Sequence, residues 1–200
     1  MTPSEPQLGP EALDQLFRDA RSAKFFADRP VPDDTLLALY DLAKLAPSAS
    51  NTCPMRLVFV RSDAGRARLV PTLMPGNVPK VQSAPVTVIV AYDLEFYTAL
   101  PTLAPHMDVP SQYAGQAEDR RTAFCLRNSS LQAGFLMVAA RSLGLDCGPM
   151  SGFRNAELDA AFFAGTSWRS NFLINIGYRT DQGVHDRAAR LTFDQACRLE

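Results

Sequence analysis

Arg21, Ser22 and Lys24 stand almost side by side in the stretch RSAK. Two cations and a hydroxyl this close suit a phosphate group, through charge-assisted hydrogen bonds. Taken alone, the triplet also reads as a solvated helix end. A second cluster, APSASNTCP at 46–54, sets Ser48, Ser50 and Asn51 between two prolines. Its hydroxyls and amide can bond a polar heterocycle or a phosphate, and alone it is also an elaborate helix-to-strand turn. A third, GNVPK, puts Asn77 and Lys80 just ahead of an apolar run. An amide can both donate and accept along an imide edge, and a lysine stabilises anionic charge. The alternative is an ordinary loop. The fourth, GPMSGF at 148–153, combines Gly148, Pro149, Met150, Ser151 and Gly152. Its glycines allow a tight path that brings backbone groups close to a flat ligand, or simply a turn between strand and helix. Together the four clusters suggest a planar, polar, phosphorylated ligand.

Several other chemistries lack their signature. There is no GxGxxG after a strand and no GxxxxGK[ST], so neither a dinucleotide fold nor a P-loop is indicated. GxSxG is missing as well. A serine hydrolase built on Ser151 would need His106 or His185 as its base, with no motif behind it. Cys53, Cys125, Cys147 and Cys197 are widely spaced and form no CxxC. With two histidines in the chain, no zinc site or other metal is expected, and the cysteines read as reduced thiols.

The elements that must position these clusters follow from periodicity. Residues 11–20 have apolar positions at helical spacing, and a second helix, capped by Asp33 or Asp34, runs to a stop at Pro47. Leu36, Leu39, Tyr40 and Ala43 form its apolar face. RLVFVR (56–61) predicts a short strand, DAGRARLVPTL a helix, and APVTVIVAY (84–92) a strand buried on both faces. Residues 93–120, with Pro101, Pro105 and Pro110, form an excursion that suits a gate over a site. The spacing predicts one long helix over 121–145, closed by Gly144. From Leu131 to Leu143 it is apolar almost all round, so it belongs within a core or between subunits. A helix capped by Asn155, a buried strand at 170–178 and a polar tail bearing Arg187 and Arg190 complete the chain.

Helices alternate with strands, but not as regular βαβ units. The expectation is a single α+β domain over 1–200, a sandwich with a mixed central sheet flanked by helices. The polar, proline-rich first ten residues are expected to be disordered, and they carry no basic flank or apolar stretch that would read as an export signal. A net charge of -1 offers no global attraction to nucleic acid or an anionic membrane. No apolar run reaches the ~20 residues of a membrane span. A cytoplasmic homodimer acting on a small molecule is expected.

The order of the clusters resembles the nitroreductase superfamily: RSxK after helix one, APSAxN…P after helix two, N…K…AP before a strand, GLDxxPxxGF after the long helix, and a late arginine. The match runs along nearly the whole chain. RNSS.QA, LGLD.GPMSGF, SN.LINIGY and RL.F..A are similar, more narrowly, to the malonic semialdehyde reductase branch, the 3-hydroxypropionate dehydrogenases of uracil catabolism. The resemblance implies a homodimer with FMN at the subunit interface and NADH or NADPH as hydride donor. It implies that Arg21, Ser22, Lys24 and Arg190, with Arg187 beside it, hold the FMN phosphate and ribityl chain. Ser48, Ser50 and Asn51 match the stretch that packs on the flavin from the partner subunit. Asn77 and Lys80 match residues at the pyrimidine edge, where a lysine stabilises negative charge on the ring. Pro149, Met150, Ser151 and Gly152 match the loop whose N–H reaches flavin N5.

The chain departs from many relatives at Ala20, Cys53, Met55 and Ser151. The implied reaction is ping-pong reduction of malonic semialdehyde to 3-hydroxypropionate. A general nitroaromatic or quinone reductase of the same fold is the alternative, and a flavin-free dimer the second. No catalytic side chain is assigned. Arg127, His106 and Arg56 are the candidate cations for a substrate carboxylate.

Overall fold

The structure is a computed structural model that describes residues 7–106 and 110–200. Helix α1 (Pro10–Leu13) continues as a π-helical turn through Asp14–Arg18. Residues 1–6 of the stretch 1–10, for which disorder is expected, lie outside the described residues, and helix has begun by Pro10. Then come α2 (Asp33–Ala43), β1 (Met55–Val60), α3 (Asp63–Leu69), α4 (Val78–Ser83) and β2 (Val86–Asp93). The excursion carries α5 (Leu100–Leu103) and α6 (Pro110–Ala114); residues 107–109 of the expected gate lie outside the described residues. After it come α7 (Glu118–Ser142), β3 (Asp146–Met150), α8 (Asn155–Phe162), β4 (Trp168–Gly177) and α9 (Phe193–Ala196).

The four strands lie in the order β1-β2-β4-β3, and every pair is antiparallel. The expected mixed sheet is therefore corrected. A parallel pair needs a connection that carries the chain back along the whole strand. Here Val60, at the end of β1, lies opposite Thr87, at the start of β2, so the connection through α3 and α4 returns to the end of the sheet that it left.

All eight residues of β2 are buried, as its apolar run required. Val86, Val88 and Val90 face α2 and α7, packing on Leu39, Ala43, Ala133, Leu136 and Ala140. Ile89 and Ala91 face the other layer, with Leu69, Val81, Leu158 and Leu173. The period of two thus makes one strand the centre of two cores.

Four local expectations need correcting. DCGPM reads as a turn but forms β3, an edge strand, and a sheet edge tolerates Pro149. Asp33 does not cap α2, because its carboxylate is turned to Arg61, and Tyr40 faces outward. Asn155 does not cap α8; its amide bonds Ser170 on β4 at 3.0 and 3.2 Å. The long helix, expected over 121–145, spans Glu118–Ser142, and Gly144 just past its end takes φ +75° and donates to the Arg141 carbonyl. Leu131 and Phe135 on α7 are 46% and 45% exposed in the single chain, so its apolar second half is only partly covered.

Candidate active site

The segment after α1 is tied down by β3. Ala23 N–H donates to the Cys147 carbonyl at 2.9 Å, and a Cβ at Gly148 would overlap the Ala23 carbonyl oxygen. Glycine is needed here because two backbones touch. The contact holds Arg21, Ser22 and Lys24 at a cavity of about 270 Å³. The polar tail folds back and brings Arg187 and Arg190 to the same cavity. Arg187 is anchored by the carbonyls of Phe17, Arg18 and Ala20 at 2.6–2.8 Å. All five cluster residues implied for a phosphate therefore share one pocket.

Two further residues line it that the sequence reading did not single out for this role. Arg141, from the end of α7, donates to the Leu16 carbonyl at 2.9 Å. Its only signal was a lone cation closing an apolar helix. His185 places Nε2 2.8 Å from Lys24 Nζ. Five cationic side chains face one acid, Asp186, so the pocket favours an anion.

A second group continues from β3. Asn77 Nδ2 donates to the Gly152 carbonyl at 2.9 Å, and Lys80 Nζ donates to Asn77 Oδ1 at 3.0 Å. Met74 N–H also reaches the Gly152 carbonyl. A Cβ at Gly152 would lie 2.5 Å from Asn77 Nδ2. Behind them, buried Asn175 on β4 donates to the Lys80 carbonyl at 3.0 Å and accepts from Thr87 Oγ1 at 2.7 Å. Asn175 pairs in register with both Thr87 on β2 and Gly148 on β3. A buried amide in an otherwise apolar strand is the signal that could have found it. The N–H groups of Ser151 and Gly152 have no partner among the described residues. No hydrogen bond links Ser151 to either histidine there, so the hydrolase alternative gains no support.

The APSASNTCP stretch is not joined to this cradle. Ala49 N–H donates to Asn128 Oδ1 on α7 at 2.8 Å, and Asn51 Nδ2 to the Leu103 carbonyl at 2.8 Å. Ser50, Asn51 and Cys53 take φ of 52°, 52° and 41°, the only positive values at non-glycine positions among the described residues. Each such residue costs roughly 1–2 kcal/mol. The buried Thr52 hydroxyl has no partner. Strain gathered in one exposed stretch points to a functional surface.

Of the cations weighed for a carboxylate, Arg56 is committed elsewhere. It pairs with Asp93 at 2.7 Å and donates to the Cys53 and Met55 carbonyls. His106 is exposed at the end of the described segment before residue 107. Arg127 lines a separate cavity on α7.

Fold and site together define an α+β sandwich with an anion pocket held against β3 and a hydrogen-bonded cradle at Gly152, just past the end of that strand. The chain belongs to the nitroreductase family, whose model matches residues 17–178. It is 56% identical over 188 residues to a Stutzerimonas stutzeri (strain A1501) protein named "Putative NADH dehydrogenase/NAD(P)H nitroreductase", covering 94% of this chain and 95% of that one. Two crystal structures share the fold. One, a nitroreductase family protein from Streptococcus pneumoniae TIGR4, has a TM-score of 0.82 at 23% identity, covering 93% of this chain and 98% of its own. The other, a "putative nitroreductase in complex with FMN" from Exiguobacterium sibiricum 255-15, has a TM-score of 0.84 at 20% identity, covering 98% and 100%.

Proposed function

We propose that this chain is an FMN-dependent NAD(P)H oxidoreductase that works as a homodimer and reduces malonic semialdehyde to 3-hydroxypropionate in pyrimidine catabolism. The observation that carries the reading is the continuous framework from the cation pocket to the Asn77–Lys80–Gly152 edge. Its donor set fits FMN: cations for the phosphate at one end, amide and ammonium for a polar ring edge at the other. Membership of the family, the relative's name and the FMN in the Exiguobacterium structure support it.

Arg21, Ser22, Lys24, Arg187 and Arg190 would hold the phosphate, joined by Arg141 and His185. Asn77 and Lys80 would bond the ring edge, where the ammonium stabilises negative charge. Gly152 leaves room for Asn77, and Pro149 and Met150 bring the Ser151 and Gly152 N–H groups toward the ring. Ser48, Ser50 and Asn51 would cover the ring bound by the partner subunit. The exposed Leu131 and Phe135 support such a dimer, because apolar surface of this kind gains from burial. Bound FMN supplies two-electron transfer from a nicotinamide to an acceptor. Overall, the aldehyde gains a hydride from NADH or NADPH and a proton from water. The four cysteines are unpaired, which suits the cytoplasm.

The test is anaerobic addition of NADH or NADPH to the yellow protein, followed by one acceptor at a time. Bleaching, then recovery of colour with malonic semialdehyde and formation of 3-hydroxypropionate, is the expected result. Recovery with nitroaromatics or quinones alone would replace the substrate reading by a general reductase, which the relative's name favours. A protein that takes up no FMN would overturn the enzyme reading in favour of the flavin-free dimer.

A further inference from the structure

A cavity of about 380 Å³ opens between α6 and the first half of α7, lined by Tyr113, Gln116, Arg120, Ala123, Phe124 and Arg127. Arg120 and Arg127 are two helical turns apart, so both leave α7 on one face. Both are exposed, and among the described residues neither guanidinium has an ion pair, a hydrogen bond or an aromatic partner. Apart from Arg198 in the tail, every other arginine is held by a carboxylate, a carbonyl or an aromatic ring. Asp119, the nearest acid in sequence, accepts the backbone N–H of Arg120 at 2.8 Å. The cavity therefore presents two planar cations without a partner among the described residues, the geometry that carboxylates select.

Its floor is firm. Phe124 stacks on Phe96 at 5.3 Å and packs on Tyr113 at 5.3 Å. It is also coupled to the strained stretch: Asn128 donates to the Phe124 carbonyl at 2.9 Å and accepts from Ala49 N–H at 2.8 Å. Asn51 reaches Leu103 on the same excursion. The turn of α7 that carries Arg127 is thus tied to the stretch through its neighbour Asn128.

We propose that Arg120 and Arg127 bind the carboxylate of the electron-accepting substrate, which makes small acceptors bearing a carboxylate the preferred class. This rests on the flavin reading above, in which the Ser48–Asn51 stretch covers the partner's ring and so brings the cavity to its edge.

The test compares the FMN-loaded parent with Arg127→Gln and with the double variant R120Q/R127Q. Acceptors are malonic semialdehyde and a matched pair, 4-nitrobenzoate and 4-nitrobenzyl alcohol, which differ in the carboxylate. In the double variant KM for the two anionic acceptors should rise about 10- to 100-fold, the loss expected for hydrogen bonds to a charged group. The neutral alcohol, FMN content and the rate of bleaching by NADH should stay as in the parent. Calorimetric binding of benzoate should weaken by the same factor, a readout that needs no turnover. Equal losses for acid and alcohol, or unchanged benzoate binding, would overturn the assignment. So would a loss confined to NADPH and absent with NADH, which would give the arginines to the donor's 2′-phosphate. If the parent failed to take up FMN, the flavin reading would fall, and benzoate binding would still decide the anion site.

Discussion

The cradle and the Ser48–Asn51 stretch are built in opposite ways. In the cradle, Thr87, Asn175, Lys80, Asn77 and Gly152 form one chain of hydrogen bonds resting on β2, β3 and β4. The stretch has three left-handed residues and a buried hydroxyl without a partner, and its Ser50 and Asn51 are exposed. One half is preorganised by the sheet of its own subunit. The other keeps strain that only a function or a second surface would offset. On the proposed reading, in which the stretch covers the partner's ring, such a site is complete only when two copies meet.

The largest effect should come from emptying the cradle's charge. Arg21→Ala with Lys24→Ala should weaken FMN binding by on the order of 100-fold or more, since each charge-assisted contact carries ~1.5–3 kcal/mol. Flavin content after gel filtration reads it, with circular dichroism to show that the fold persists. Unchanged flavin would break the phosphate assignment.

Next in size is a methyl group in the cradle. Gly148→Ala pushes on the Ala23 backbone, which has nowhere to go, and should cost about 1–3 kcal/mol by overpacking. Gly152→Ala meets the end of an Asn77 side chain, so it should loosen FMN more than it lowers Tm. The same kind of change in the stretch should act in reverse. Ser50→Gly relieves a residue at φ 52° whose hydroxyl has no hydrogen bond among the described residues, and should stabilise the fold by ~1 kcal/mol while turnover falls. For a chain this size that is a rise in Tm of about 2–4 °C. A drop in Tm would mean that the stretch is not strained.

The smallest effect concerns the thiols. Burial pushes Cys125 and Cys147 up from 9.0 to about 12, so both stay protonated at neutral pH. Their folded values lie above the unfolded one, so the stability they confer is intact below pH 9 and is lost as pH rises toward 12. A thiol reagent at pH 8 should label Cys53 and Cys197, with the buried pair appearing on unfolding. FMN should slow labelling of Cys53, which lies in the stretch, and leave Cys197 unaffected.

The strong periodic elements were legible. β2, β4, α2 and α7 announce themselves because burial on two faces or on one stripe leaves a regular pattern. β3 did not, because Gly148 and Pro149 look like a turn and only pairing along β4 makes them a strand. The antiparallel sheet was hidden for a related reason: alternation of helix and strand does not reveal at which end of the sheet each connection returns. Of the candidate site, four clusters were legible, in a familiar order. Its assembly was not, because Arg141 and His185 reach the anion pocket through the path of α7 and the tail, which no local spacing encodes. Asn175 was passed over inside a run read only as apolar.

The most direct test of the divided site is sedimentation velocity of the FMN-loaded protein, followed at 280 nm and at the flavin's visible band. The account predicts that all the visible absorbance travels with a species of twice the 21.9 kDa chain mass. Flavin travelling with a single chain would contradict it.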